Sequence, residues 1–224
     1  MESHVLAKRP VCGRAASARL IAEGAGPILG HMSDAPAPPV DLTGKLLIAM
    51  PDMGDPRFHG SVVFVCAHSG KGAMGLIINK PMPDVRFAQL LDQLEIARGP
   101  ATPDLAICYG GPVEAKRGFI LHSAAYHGTG HEGLRVDDRF AMTATLDVLE
   151  DLARGTGPAE ALLMLGYAGW GPGQLEGEIG QNGWLTVDAM PELVFGTAMA
   201  DKWQAALASL GVSPLTLSAQ AGHA

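Results

Sequence analysis

Cysteine is scarce in this chain: Cys12, Cys66 and Cys108 are the only three among 224 residues. They are odd in number, far apart and form no CxxC pair. That argues against a disulfide framework and a cysteine-built zinc site, and it fits a reducing, cytoplasmic setting. Long apolar runs are missing too. None approaches the ~18–20 residues a membrane helix needs, so no membrane is expected. Charged residues make up only 17% against 47% hydrophobic ones, which suits a buried globular core rather than disorder. No GxSxG, HExxH or EF-hand pattern occurs, and nothing in the chain implies a cofactor or a metal.

Positive charge is also short. The net charge is −7, and residues 1–31 hold Lys8, Arg9, Arg14 and Arg19 against Glu2 and Glu23. Setting those aside leaves 12 basic against 21 acidic residues, a body at −9. Non-specific affinity for nucleic acid comes from neutralising phosphates, so direct DNA binding is not expected of such a body.

Residues 1–41 differ from the rest. Small residues with scattered arginines lead into a Pro/Ala tract, Ser33–Pro39, that cannot form regular packed structure. The arginine-rich start has some transit-peptide character. The plainer expectations are a disordered extension, or an upstream start read in place of Met32. Residues 42–224 read as a single domain.

What is present is a set of apolar runs. Leu46–Met50, Val62–Ala67 and Met74–Ile78 are rich in Val and Ile and bounded by Pro- and Gly-rich breaks, so they read as strands buried on both faces. Ser69–Gly72 turns the second into the third as a hairpin, which Pro81 and Pro83 end. An amphipathic helix is expected over Val85–Ile96. Strands are expected at Leu105–Cys108, Gly118–His122, Leu134–Val136, Phe140–Thr143, Ala161–Tyr167 and Trp184–Val187. Helices are expected at Leu146–Arg154, capped by Thr145, at Pro172–Ile179, and from a Thr197 cap through Leu210. Strands come in runs broken by single helices, which predicts an α+β fold with a mixed, mostly antiparallel sheet.

Several constellations invite a chemical reading. Gly70-Lys71-Gly72-Ala73-Met74-Gly75 spells GxGxxG, but a dinucleotide loop must open a helix, and this one opens a short β-like run. A glycine-rich hairpin is the better reading. Lys71 is followed by Gly72 rather than Ser or Thr, so it is no Walker A loop. Cys66 and His68 stand two apart on a strand and are expected on one face. They would then lie ~6–7 Å apart, too far for a direct hydrogen bond. His122, His127 and His131 cluster in a Gly-containing stretch that reads as a solvent-facing loop. Asp52, Asp55, Arg57 and His59 share the loop after the first strand, where functional groups often sit, though Asx-turns and surface ion pairs use the same residues. Glu176 and Glu178 lie near Trp170 and Gln174, but two residues apart on a helix they do not face each other.

Taken together, the motifs resemble the YqgE/AlgH family of bacterial proteins. The matching segments are LIAMP at Leu47–Pro51, Ser61–Val63 leading to Cys66-Ala67-His68, and GAMGLIINKP at Gly72–Pro81. GGPV at Gly110–Val113, RGFILH at Arg117–His122, LGYAGWGPGQLEGE at Leu165–Glu178, NGWL at Asn182–Leu185 and AGHA at Ala221–Ala224 follow in family order. Many relatives carry an acidic residue where this chain has Ala67, so no role can rest on that carboxylate here. The resemblance implies an α+β fold whose bent sheet closes into a pseudo-barrel flanked by helices, in a bacterial cytosolic protein. It supplies no established enzymatic activity. One branch is described as a transcriptional regulator of alginate production, which does not itself imply DNA contact, and no helix-turn-helix signal is present.

Two functions follow as expectations. The first is a non-enzymatic regulatory or adaptor protein acting through an unknown protein partner or small ligand. It would use an exposed groove formed by Asp52, Asp55, Arg57, Gly110, Gly111, Trp170 and Gln174, with His68 and Glu176 as further contacts. The alternative is a small-molecule enzyme, such as a hydrolase, using His68 or a loop histidine. It requires a closed pocket in which His68 meets a carboxylate from elsewhere in the chain.

Overall fold

The computed structural model describes residues 40–128 and 133–217. Residues 1–39, His131 and the closing AGHA lie outside the described residues.

The fold is α+β. The strands are β1 (Lys45–Ala49), β2 (Val62–Ser69), β3 (Gly72–Ile77), β4 (Pro81–Arg86), β5 (Ala106–Tyr109), β6 (Val113–Ser123), β7 (Gly133–Arg135), β8 (Phe140–Thr143), β9 (Ala161–Trp170) and β10 (Trp184–Asp188). The helices are α1 (Phe87–Gln93), α2 (Leu146–Arg154), α3 (Gln174–Gly180) and α4 (Lys202–Ser209). One sheet runs in the order β10-β1-β2-β3-β9-β6-β8-β7 and curls into an open half-barrel, with β4 and β5 joined beside β9. All pairings are antiparallel except β5 with β9. β9 is the hub, flanked by β3, β5 and β6.

Alternation along β1 and β2 feeds two cores at once. Leu46, Ile48, Val62, Phe64 and Cys66 face one core with Phe140, Met164 and Leu207 of α4. Leu47, Ala49, Val63 and Val65 face the other, with Trp170, Leu175 of α3 and Trp184. Both faces are dry, so Leu46–Ala49 and Val62–Cys66 are apolar at every position. Each fully buried Leu, Ile or Val there stabilises the fold by about 1.5–3 kcal/mol. A third core packs α1 and α2 on Ile107, Ile120 and Leu163.

The structure corrects several local expectations. Pro81 and Pro83 do not end the sheet but lie within β4, whose one partner among the described residues is β5. An edge strand tolerates proline because its outer N–H positions make no ladder bond. That strand takes Val85 and Arg86, so α1 starts only at Phe87. Thr145 occupies the N-cap position of α2, but its side chain makes no capping hydrogen bond, and its Oγ1 is buried without a partner. Thr197 does not cap α4 either. Its hydroxyl donates to Glu192 O at 3.1 Å and closes a π-turn, Glu192–Gly196, that periodicity does not signal.

The largest correction concerns Cys66 and His68. The β2–β3 register shifts between Val65 and Ala67, so Cys66 is an extra residue in a bulge. Downstream of it the alternation is reversed: Ala67 pairs with Met74 and His68 with Ala73, and Ala73 belongs to the Trp170 core. Cys66 and His68 therefore face opposite cores.

Candidate functional site

The loop between β1 and β2 is held from behind. Asp55 Oδ1 accepts the Arg57 N–H at 3.0 Å, an Asx-type turn opening the 3-10 turn Pro56–Phe58. The Arg57 guanidinium closes on the same carboxylate at 2.6 Å and holds it below the usual aspartate range. Asn79 clamps the loop exit: its Oδ1 accepts from Val62 N at 2.8 Å and its Nδ2 donates to Gly60 O at 2.9 Å. Lys80 Nζ donates to Arg57 O at 2.6 Å, and partial burial pushes its ammonium pKa down. The Asn79-Lys80-Pro81 stretch thus fixes the loop that follows β1.

Opposite the loop stands α3. Gly173, at φ +72°, lets the chain turn in, and Gln174 Oε1 accepts from Gly171 N at 3.0 Å. Gln174 and Glu178, four apart, share a face, and Gln174 Nε2 donates to Glu178 Oε1 at 2.9 Å. Both indoles converge on the other oxygen: Trp170 Nε1 reaches Glu178 Oε2 at 3.0 Å and Trp184 Nε1 reaches it at 2.8 Å. Phe58 packs against both rings, with centroids 6.3 Å and 5.5 Å away.

Between loop and helix lies a cleft of about 710 Å³. Asp52, Asp55, Arg57, Trp170, Gln174 and Glu178 line it, with Asn182 at the exit of α3. Asn182 sits at φ +58°, a left-handed position asparagine tolerates. Asp55 is neutralised by Arg57. Asp52 is exposed and makes no hydrogen bond or ion pair among the described residues, and Glu178 has neutral donors only. The cleft is therefore net negative.

The other expected residues lie elsewhere. Gly110 and Gly111 are buried and do not line the cleft; they carry the chain across β9 from β5 to β6. A Cβ on Gly111 would sit 2.2 Å from the Tyr167 carbonyl carbon, and Gly111 is at φ +152°. His68 and Glu176 meet each other outside the cleft, His68 Nε2 to Glu176 Oε1 at 2.9 Å. His68 Nδ1 accepts from Leu42 N at 3.3 Å, so Nε2 carries the proton that Glu176 accepts. His68 N also donates to Thr43 Oγ1 at 3.1 Å. The imidazole has met a carboxylate, but with only 4% of its side chain exposed and both nitrogens engaged it pins Asp41–Thr43 to β2 and α3.

The cysteines are core. Burial pushes both thiols up, Cys108 to about 11 and Cys66 further. His122 is buried between Ser123 O at 3.0 Å and Thr143 Oγ1 at 2.9 Å, so it faces the interior rather than solvent, and burial lowers its pKa. Among the described residues no three His, Cys, Asp or Glu side chains gather as a metal site would require. No helix among them is long and apolar enough to cross a membrane.

The sequence points to Glu176 of α3, and the structure adds Glu178. The signal for Glu178 was the four-residue step Trp170–Gln174–Glu178, which puts an indole, an amide and a carboxylate along one side of the turn into α3.

Fold and site together define a half-barrel α+β protein with a polar, aromatic-walled cleft beside α3. A family model described as AlgH-like matches residues 46–215, and the chain belongs to that family. It is 61% identical over 184 residues to a UPF0301 protein of Jannaschia sp., covering 82% of this chain and 96% of that one. It is 61% identical over 186 residues to a UPF0301 protein of Ruegeria pomeroyi, covering 83% and 100%. The solution structure of the AlgH protein from Pseudomonas aeruginosa superposes with a TM-score of 0.67 at 41% identity, over 84% of this chain and 98% of that one. A crystal structure from Corynebacterium diphtheriae, at TM-score 0.60 and 22% identity over 75% and 86%, shares the fold.

Proposed function

We propose that this is a non-enzymatic regulatory or adaptor protein of the cytoplasm, which acts indirectly by capturing a protein partner or small ligand in the cleft beside α3. The observation that carries this reading is the state of Glu178. Three neutral N–H groups hold its carboxylate, an arrangement suited to fixing a binding surface rather than to passing a proton. His68 supports the same reading, because both its nitrogens are spent on structure and it does not line the cleft. The His68–Glu176 pair is what an acid–base enzyme would use, but Cys66, two residues before His68, faces the opposite core.

Thermal unfolding of residues 32–224 against nucleotides, metals, common metabolites and duplex DNA tests the proposal. A ligand at 100 times its dissociation constant should stabilise the fold by about 2.7 kcal/mol. A shift that disappears in a Gln174→Ala variant supports capture in the cleft. Turnover of any compound in the panel, abolished by His68→Ala in a protein that still folds, would sink it.

A further inference from the structure

The cleft is half of a larger arrangement. A second cavity of about 660 Å³ lies beside it, lined by Met74, Phe119, Met142 and Tyr167, with Lys71 and Arg117 among its walls. Val113, Gly169 and Trp170 line both cavities. The two belong to opposite faces of the sheet. Trp170 and Phe58 pack in the core shared with α3, whereas Met74, Phe119, Met142 and Tyr167 pack in the core shared with α4. What separates them is the end of β9.

That end has one side on which no described strand pairs, open at Gly169 between the buried Ala168 and Trp170. Ala168, Gly169 and Trp170 pair with Gly75, Met74 and Ala73 of β3 along one edge. Along the other, β6 reaches only to Val113 opposite Tyr167, because Pro112 turns the chain away over β9. Among the described residues no strand pairs with the outer edge of 168–170. Gly169, at its centre, is exposed and carries no side chain. A bare strand edge accepts an extended peptide through main-chain hydrogen bonds, and the peptide's successive side chains then point to opposite faces.

We propose that the outer edge of β9 at Ala168–Trp170 docks an extended segment of a partner protein, with alternate side chains entering the two cavities. The charges set which goes where. Asp52 and Glu178 give the cleft negative charge without a basic partner. Glu178 Oε1 takes one N–H, from Gln174, so it can accept another. A lysine or arginine of the segment enters there. The groove behind is apolar and carries Lys71, with Arg117 paired to Glu114 at 3.0 Å, so it takes an aliphatic side chain and repels a cation. The partner segment therefore alternates basic with aliphatic residues. Each cavity alone falls in the ~300–1,000 Å³ range of small-ligand sites, but two of them on either side of a bare strand edge match a chain. The inference rests on the cleft being the binding site.

The probe is a blocked hexapeptide alternating lysine with valine, titrated against the full chain by tryptophan fluorescence. Saturable binding is expected. It should weaken about tenfold when glutamate replaces lysine, or in an Asp52→Asn variant, as a lost charge-assisted contact would. N-methylation of the edge-facing amides should abolish it. Gly169→Leu should also abolish it: a Cβ there meets side chains only, Tyr167 Cε2 at 3.3 Å and Val113 Cγ2 at 3.9 Å. If Gly169→Leu fails to fold, the exposed Asp52→Asn decides. No saturation, or equal binding of the N-methylated peptide, overturns the proposal. So does a blocked single lysine that binds as tightly as the hexapeptide, which would leave the cleft standing as a small-ligand site.

Discussion

Trp184 donates its indole N–H to Glu178 at 2.8 Å, and that contact ties the edge strand β10 to α3 across the floor of the cleft. The same oxygen takes Trp170. Glu178→Ala leaves two largely buried donors without an acceptor and should cost about 2–4 kcal/mol. Glu178→Gln should cost less, because an amide oxygen can still receive both indoles. Urea unfolding of the two variants against the parent checks the order, and equal midpoints for Ala and Gln would contradict it.

His68 is expected to matter for stability and not for capture. His68→Ala removes the acceptor of the Leu42 amide and the donor to Glu176. A loss of about 1–3 kcal/mol should follow. Hydrogen exchange at Leu42 should quicken, while ligand-induced shifts in the cleft stay as they were. A folded His68→Ala protein blind to a ligand of the cleft would mean that the ring does more than hold Asp41–Thr43.

Gly111 should be intolerant where Gly169 is permissive. Alanine at 111 drives a Cβ to 2.2–2.4 Å from the main chain of Tyr167 and Ala168, so the crossing over β9 cannot keep its place. Gly111→Ala should cost more than about 3 kcal/mol or abolish folding. Gly169→Ala meets only side chains and should move the thermal midpoint little.

Lys202 gives the protein a pH signature. Its ammonium is buried, with 1% of the residue exposed, and donates to the carbonyls of Leu193 and Val194. Burial lowers its pKa from 10.5 to about 8. Between those values the unfolded chain holds a proton that the folded protein has released, so this group's contribution to stability rises with pH in that window. Well below pH 8 both states are protonated and the contribution is flat. Lys202→Met removes the effect. The folded group is only half deprotonated at pH 8, so the stability difference between parent and variant should shift in the parent's favour by about 1 kcal/mol from pH 8 to 9. Chemical denaturation of both proteins at pH 7, 8 and 9 measures it, and a constant difference would refute the assignment.

Much of the fold was legible because the strands that matter are apolar on both faces. Lys45–Ala49, Val62–Ser69 and Gly72–Ile77 lie within a residue or two of where their Val and Ile runs put them. What stayed hidden has identifiable causes. Pro81 and Pro83 read as terminators, since nothing in a sequence marks a strand as an edge. The π-turn at Glu192–Gly196 leaves no periodic trace. Alternation alone puts His68 on the wrong face, because a single extra residue at Cys66 reverses it. The loop half of the site, Asp52 to Arg57, could be anticipated as polar residues on a turn after a buried strand. Of the α3 half, Trp170 and Gln174 are legible, but the part of Glu178 is complete only when β10 brings Trp184 back to it.

The position of β9 also orders events during synthesis. β3, β5 and β6 all leave the ribosome before the strand that lies between them. Ala73 must wait for Trp170, and Ile107 and Ile120 for Leu163. At about 5–20 residues per second, β3 stands with an open flank for roughly 5–20 s. The nascent chain can close its β2–β3 hairpin early, but the half-barrel locks only when its last third is made. A chain truncated before Ala161 should therefore leave the exit tunnel as a set of sticky, unpaired strands and become a client for chaperones.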